Sequence, residues 1–197
     1  MRHGETVWNH ERRFTTRTDV PLSEAGMVQA HEAAERLAGT RIDRIYSSPL
    51  HRALFTADAV AEQRSPAPEI VVDERLTEID AGPFEGKTEE ELAEGPLAEA
   101  FVSWHSDQAP EFPEGTEPFD HALSRAASFL DEHAGEDGTT LVVTHGSLAR
   151  LMVSTYFLGG PPAVHRRLWL DNCRLAVVEW RGGVPKLTGF NVTRPEG

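Results

Sequence analysis

Arginine, histidine and glutamate residues stand at the ends of several short apolar runs in this 197-residue chain. His145 follows "TLVVT", Arg52 lies shortly after "RIYSS", and Glu78 follows "EIVVDERLT". Arg2 and His3 follow Met1 at the N-terminus. If Met1 is the last residue of a strand, they stand at the carboxyl end of that strand. In open α/β sheets, ligands bind beyond the carboxyl ends of the strands. The pattern therefore predicts that these five side chains meet at one edge of a parallel sheet.

Two guanidinium groups and two imidazole rings at one sheet edge would form a cage for a dianionic phosphoryl group. Arginine offers planar bidentate donors that match phosphate oxygens, and phosphoryl transfer mainly requires positioning and charge stabilisation. A neutral histidine is a competent nucleophile near pH 7, and a buried, protonated glutamate can protonate a departing alkoxide. Each residue alone also has a structural explanation. A histidine after a strand can simply pack or cap, and Glu78 can be a surface carboxylate among the many in "DERLTEID".

Other ligand chemistries lack their usual sequence patterns. The chain has nine histidines but no HExxH, HxH or paired CxxC motif, so we expect no metal site. It has no glycine-rich P-loop and no GxGxxG motif, which disfavours nucleoside triphosphates and dinucleotides. We therefore expect no cofactor.

The charge balance favours a small phosphorylated metabolite over a polyanionic partner. With 32 acidic and 19 basic residues, the chain has a net charge of −13. Such a chain repels nucleic acids and anionic membranes, so we expect neither as a partner. The single cysteine, Cys173, excludes an internal disulfide framework. The N-terminus shows no signal-peptide pattern and no apolar run reaches about 18 residues, so we expect a cytoplasmic protein.

Alternating helix and strand patterns surround the candidate residues. One helix is predicted with Ser23 as its N-cap, a second begins at Pro49, and a third spans Leu148 to Leu158. Runs of apolar and β-branched residues predict strands at "RIDRIYSS", "EIVVDERL" and "TTLVVTHG", and a hairpin that joins "CRLAVVEW" to "KLTGFNV". This alternation predicts an α/β fold with a mostly parallel central sheet.

An acidic segment at about residues 82–117 breaks the alternation. We interpret it as a small lid insertion over the sheet edge, within a single domain of residues 1–197. The segment carries Phe101, Trp104 and Phe112. These rings either face an apolar or sugar portion of a substrate or form a small core of the lid itself.

The candidate residues lie in motifs that resemble those of the histidine phosphatase superfamily, also called phosphoglycerate mutase-like. The resemblance covers nearly the whole chain and consists of motifs in the same order: "RHGETVWN", "TDVPLSEAG", "SSPLHRALFTA", "RLTEIDAGPFEG" and "VVTHGSLAR". It implies a three-layer α/β/α sandwich and chemistry without an obligatory metal. It also implies a role for each residue. His3 would be phosphorylated transiently, and Glu78 would be the general acid and later activate water. The groups that bind the phosphoryl oxygens would be Arg2, Asn9, Arg52, His145 and the Gly146 backbone.

Two departures from the family pattern concern the substrate. The family usually has glycine where Thr16 stands in "RRFTTRTD", at a position that lines the substrate pocket. A side chain there should narrow or reshape that pocket. "PEGTEPF" stands where many relatives read Pro-Gly-Gly-Glu-Ser, so the lid contact near Gly115 to Glu117 should differ.

The composition of the lid segment favours hydrolysis over a mutase reaction. Mutases of the family carry extra basic residues in this segment, whereas here Lys87 and His105 are its only basic residues between Gly82 and Pro118. We therefore predict a metal-independent phosphatase that acts on a less anionic phosphomonoester. A mutase and a phospho-ligand binding module without turnover are the alternatives, although a binding module needs no proton donor.

Two further expectations concern the start of the chain and its assembly. The family places an apolar strand of about five residues before the Arg-His-Gly motif, and strands normally span about 5–6 residues. We therefore expect the natural protein to begin a few residues upstream of Met1. An unpaired sheet edge and the tryptophan-bearing C-terminal hairpin would allow a homodimer.

Overall fold

The computed structural model describes residues 1–105 and 113–195, so Phe112 lies outside the described residues. Its helices and strands are α1 (Val7–His10), α2 (Glu24–Leu37), β1 (Arg44–Ser47), α3 (His51–Glu62), β2 (Ile70–Val72), α4 (Glu89–Glu94), α5 (Ala98–Trp104), α6 (Phe119–His133), β3 (Thr140–Val143), α7 (Gly146–Leu151), β4 (Leu175–Arg181) and β5 (Val184–Val192). Within these residues, no helix has the length and apolarity needed to cross a lipid bilayer.

The centre of the fold is a parallel sheet of order β2–β1–β3. The N-terminal residues continue this sheet beside β3, where Arg2 forms a parallel bridge with Thr144. On its other side, the backbone N–H of Arg2 donates to the carbonyl of Arg174 at 3.1 Å. The N-terminal segment therefore lies between the end of β3 and the start of the antiparallel β4–β5 hairpin.

Helices cover both faces of this sheet. Successive side chains of a strand point to opposite faces, and Ile45 and Tyr46 of β1 accordingly join different hydrophobic cores. Ile45 packs with α2 and α3, whereas Tyr46 packs with α6, α7 and the lid segment. The predicted α/β fold with a mostly parallel central sheet is confirmed.

The N-cap predicted for α2 is present, whereas the start of α3 differs from the prediction. The Ser23 hydroxyl accepts the N–H of Gly26 at 3.0 Å. Helix α3 begins at His51 rather than at Pro49. The reason is a contact between distant residues, because the carboxylate of Asp19 accepts the His51 N–H at 2.9 Å and caps the helix there.

The lid segment contains α4 and α5, and its aromatic rings pack against one another. The ring centroid of Phe84 lies 5.9 Å from that of Phe101 and 5.6 Å from that of Trp104. Trp104 in turn packs edge-on against Phe119 of α6, with 5.0 Å between the centroids. Among the described residues, the lid aromatics thus form a small core, which is the second of the two interpretations given above.

Candidate active site

His3 lies at the end of the N-terminal strand segment and is only 3 % exposed. Its backbone N–H donates to the carbonyl of Thr144 at 3.0 Å. Its side-chain Nδ1 lies 2.6 Å from the carbonyl oxygen of Gly4. Because a carbonyl can only accept, Nδ1 carries the hydrogen and Nε2 keeps a free lone pair. Burial, followed by the charges of Arg52 and Arg2, holds the pKa of His3 well below the usual 6.5. His3 is therefore neutral at pH 7.

His145 lies beside His3, with 5.0 Å between the ring centroids, and it is fully buried. Its Nδ1 accepts the Nε–H of Arg52 at 3.3 Å, and its Nε2 lies 2.7 Å from the Ser48 hydroxyl. Because a guanidinium can only donate, Nδ1 is the acceptor and Nε2 carries the hydrogen. Burial, followed by the charges of His3 and Arg52, holds the pKa of His145 well below 6.5. Both ring nitrogens contact protein groups, so in this tautomer His145 has no free N–H for a phosphoryl oxygen.

Arg2 and Gly146 present two unused donors side by side. The Nη1 of Arg2 donates to the carbonyl of Leu170 at 2.7 Å, whereas its buried Nε has no partner in the described part of the chain. The Gly146 N–H likewise finds no acceptor there. A Cβ at Gly146 would lie 3.3 Å from the Nε of Arg2, so glycine lets the two groups approach. Burial lowers the pKa of Arg2 to about 10, and Arg2 therefore stays positive at neutral pH.

Arg52 lies in the first turn of α3 and is completely buried. Its Nη2 donates to the carbonyl of Thr16 at 2.6 Å, and its Nη1 donates to that of Thr18 at 2.9 Å. Each Nη carries a second N–H, for which the described residues supply no acceptor. Burial lowers the pKa of Arg52, and the nearby carboxylates Glu78 and Glu85 oppose this effect.

Glu78 is held at the start of α7 and is 6 % exposed. One carboxylate oxygen accepts the backbone N–H groups of Ile79 and Leu148, and the other accepts that of Ser147, all at 2.9 Å. These bonds hold the Glu78 side chain in a single orientation at the N-terminus of α7, the helix that directly follows His145. The negative charge of Glu78 also raises the pKa of Arg2 and that of Arg52, so Glu78 lies close enough to both arginines to interact with their charges.

Among the described residues, neither Arg2 nor Arg52 has a carboxylate partner. Elsewhere arginines form close ion pairs, such as Arg75 with Asp73 at 2.6 Å and Arg125 with Glu117 at 2.7 Å. Within residues 1–105 and 113–195, by contrast, no Asp or Glu oxygen lies within 4 Å of a side-chain nitrogen of Arg2 or Arg52. A buried charge without a counter-ion is costly. The site therefore holds surplus positive charge that suits a dianionic ligand, in a chain whose net charge is −13.

Asn9 and Thr16, both predicted to bind substrate, contact other protein groups in the structure. The side-chain oxygen of Asn9 accepts the Thr6 N–H at 3.2 Å, as part of a capping box at the start of α1. Thr16 is 6 % exposed, and its hydroxyl contacts the carboxylate of Glu85. It is the carbonyl of Thr16, not the hydroxyl, that contacts Arg52.

Several groups that hold the site were not identified from the sequence. They are Ser48, which contacts His145; Thr56, which accepts the Gly4 N–H; Asn172, which donates to the His3 carbonyl; and Glu85. Ser48 directly follows β1, and His145 follows the end of β3 by two residues. A polar residue at the end of a strand is therefore a sequence feature that could have identified Ser48. Thr56 and Asn172 offer no local signal, because their partners lie 52 and 169 residues away along the chain.

The described residues contain no group of three or more His, Cys, Asp or Glu side chains that could hold a metal ion. The predicted site residues at this sheet edge contribute two neutral imidazoles, two guanidiniums and one carboxylate.

Comparisons with other proteins agree in fold and in family. A model of the histidine phosphatase superfamily (branch 1) matches residues 1–193. A probable phosphoglycerate mutase, GpmB, of Proteus mirabilis is 33 % identical over 187 residues, which cover 92 % of this chain and 83 % of that protein. The structure of a phosphoserine phosphatase from Entamoeba histolytica in complex with 3-phosphoglyceric acid is 33 % identical, with a TM-score of 0.83 and coverage of 97 % of this chain and 94 % of that one.

A second structure supports the fold alone. A putative alpha-ribazole-5'-P phosphatase from Escherichia coli has a TM-score of 0.86 at 24 % identity and covers 98 % of this chain and 94 % of that one. The match of the family model over nearly the whole length, together with relatives at 33 % identity, shows that this chain belongs to the histidine phosphatase superfamily, branch 1.

Proposed function

We propose that this chain is a metal-independent phosphomonoester hydrolase that forms a transient phosphohistidine on His3. The observation that carries the proposal is the state of the His3 ring. Its Nδ1–H is bound to the Gly4 carbonyl and its pKa is depressed, so Nε2 is a free, neutral nucleophile beside two arginines without carboxylate partners.

In the first step, the Nε2 of His3 attacks the phosphorus atom, and the bond from phosphorus to the ester oxygen breaks. Arg2, Arg52 and the Gly146 N–H bind the phosphoryl oxygens and stabilise their charge. Glu78 protonates the departing ester oxygen.

In the second step, Glu78 accepts a proton from a water molecule, whose oxygen attacks the phosphorus. The bond from nitrogen to phosphorus breaks, inorganic phosphate leaves, and His3 returns to its neutral state. His145 can donate to a phosphoryl oxygen during this cycle when the 3.3 Å contact with Arg52 opens and the ring hydrogen moves from Nε2 to Nδ1, with the Ser48 hydroxyl then donating to Nε2.

The experiment that tests the proposal is phosphate release from an aryl phosphate, phosphoserine and 3-phosphoglycerate, with a chelator present throughout. We expect turnover by the wild type, loss of turnover in His3→Ala, and an acid-labile phosphoryl label on the wild type alone. His10→Ala is the matched control, because the side chain of His10 is 79 % exposed. Turnover retained in His3→Ala, or abolished by the chelator, would contradict the proposal.

A mutase is the second candidate, and the 33 % identity to the probable phosphoglycerate mutase GpmB favours it. Against it stands the lid segment, in which Lys87 and His105 are the only basic residues between Gly82 and Pro118. A mutase must retain the phosphorylated acid while both positions exchange, which needs more positive charge than this. Conversion of 3-phosphoglycerate to its isomer without release of phosphate would favour the mutase. Tight phosphate binding without either reaction would favour a binding module.

A further inference from the structure

Residues 16–18 lie between a carboxylate and a buried guanidinium. On one side, the carboxylate of Glu85 accepts the backbone N–H groups of Thr16 at 3.1 Å, Arg17 at 3.3 Å and Thr18 at 2.9 Å. The Thr16 hydroxyl also contacts it. On the other side, Arg52 donates to the carbonyls of Thr16 and Thr18. The short loop thus connects Glu85 to Arg52 through its own backbone.

This arrangement aligns the peptide groups of the loop between opposite charges. Successive backbone N–H groups that converge on one anion form a nest, and hydrogen bonds to charged groups are stronger than neutral ones. Each peptide N–H points towards the Glu85 carboxylate, while two carbonyls point towards the Arg52 guanidinium. The two charges therefore stabilise the same loop conformation. The charge of Glu85 also raises the pKa of Arg52, in opposition to the effect of burial.

The orientation of Arg52 depends on this loop. Both of its Nη atoms donate to loop carbonyls, and its Nε contacts His145. Arg52 is completely buried, so water does not replace a carbonyl that moves away. The loop in turn has no other carboxylate on its N–H groups among the described residues. Removal of the Glu85 carboxylate would release the loop and, with it, the guanidinium.

We propose that Glu85 is a positioning residue for phosphoryl transfer, which acts through residues 16–18 to fix the Arg52 guanidinium in the phosphate cage. The inference rests on the proposed function, in which Arg52 binds the transferred phosphoryl group. Thr16, at a position where the resemblance implies glycine, strengthens the connection because its hydroxyl adds a further contact to Glu85.

The test compares Glu85→Ala and Glu85→Gln with the wild type and with a matched control, Asp43→Ala. The carboxylate of Asp43 also accepts a backbone N–H, that of Thr139 at 2.8 Å, but it lies before the start of β1, at the opposite end of the strand from Ser48. Three quantities are measured for each protein: the affinity for inorganic phosphate by calorimetry, kcat and KM for an aryl phosphate, and Tm.

In Glu85→Ala, we expect phosphate affinity to fall about tenfold and kcat/KM about 100-fold, since a displacement of about 1 Å in a positioning group has effects of this size. Glu85→Gln keeps an acceptor oxygen, so it should recover part of both losses. Asp43→Ala should change Tm alone. A lower Tm in Glu85→Ala with phosphate affinity and kcat/KM within twofold of the wild type would overturn the inference.

The outcomes separate this inference from the proposed function. Normal turnover by the wild type together with unaffected Glu85 variants would refute the positioning role alone. A wild type that binds phosphate without turnover would refute the proposed hydrolase, while the phosphate affinities of the two variants would still decide the role of Glu85. Equal losses in Glu85→Gln and Glu85→Ala, with Tm unchanged, would support the role and assign it to the charge of the carboxylate.

Discussion

Replacement of Glu78 by glutamine tests the proton donor while it preserves most of the side chain's shape. In the structure, one carboxylate oxygen accepts two backbone N–H groups and the other accepts one, that of Ser147. The amide of glutamine has one oxygen, which will take the position with two donors. Its NH₂ group then faces the Ser147 N–H, and one part-buried hydrogen bond is lost.

The loss of stability and the loss of catalysis expected in Glu78→Gln differ enough in size to be measured separately. A fully buried unsatisfied donor costs about 1–3 kcal/mol of stability, and the part-buried Ser147 N–H costs less, so Tm falls but the protein stays folded. Loss of general acid–base catalysis costs about 10²–10⁴-fold in rate. An alkyl phosphate needs the acid in the first step, whereas a nitrophenolate leaves readily without a proton. Both substrates need Glu78 in the second step to activate water.

Stopped-flow measurement of nitrophenolate release is the assay. We expect Glu78→Gln to release about one equivalent in a fast burst, followed by slow turnover as the phosphohistidine accumulates. Release from an alkyl phosphate should be slow from the start. Glu74→Gln, at an exposed position on the same segment, should behave as the wild type. Equal rate losses on both substrates with no burst would show that Glu78 supports the site without donating a proton.

Two other predictions follow from burial and close approach. In Gly146→Ala, the new Cβ lies 3.3 Å from the Nε of Arg2. We expect kcat/KM to fall about 10–100-fold, because the guanidinium must shift, and Tm to hold, because alanine suits a helix. Unchanged kcat/KM in Gly146→Ala would show that the reaction does not require the close contact between Gly146 and the Arg2 guanidinium. The second prediction concerns pH. Burial lowers the pKa of His165 to about 4 and holds those of His3 and His145 well below 6.5. The unfolded chain therefore binds more protons below pH 6.5, and the free energy of unfolding falls as the pH decreases. His165 alone contributes up to about 3 kcal/mol to this loss. Urea denaturation from pH 7 to 4 measures it, and a flat profile would contradict the burial of these rings.

Local rules explain the parts of the fold that the sequence predicted well. The strands at β1, β2 and β3 lie within the predicted runs, because apolar and β-branched residues between turn residues leave few alternatives. Helix α2 has both the predicted period and the predicted cap at Ser23, since a cap is a contact between near neighbours. The candidate residues meet at one sheet edge, because the carboxyl ends of parallel strands must lie there.

Contacts between residues far apart in the chain explain the parts of the fold and the site that the sequence predicted poorly. The predicted start of α7, at Leu148, is two residues late, because Glu78 caps the N–H groups of Ser147 and Leu148 from 69 and 70 residues away. The Thr16 hydroxyl contacts Glu85, also 69 residues away, so its direction could not be read from its neighbours. Periodicity and capping preferences carry no information about such contacts, and the positioning groups of the site belong to this class.

The distribution of charge explains how so acidic a chain can keep two arginines free of carboxylate partners at the proposed phosphate site. Two carboxylates that act on the charge of Arg52 accept backbone N–H groups: Glu78 at the start of α7, and Glu85 at residues 16–18. Among the described residues, Arg2 and Arg52 accordingly form no ion pair with a carboxylate. If either carboxylate paired with a guanidinium instead, the phosphoryl group would have to displace it. Backbone N–H groups thus stabilise the charges of Glu78 and Glu85, so these carboxylates need no arginine partner. The charges of Arg2 and Arg52 are then left for the proposed phosphoryl ligand.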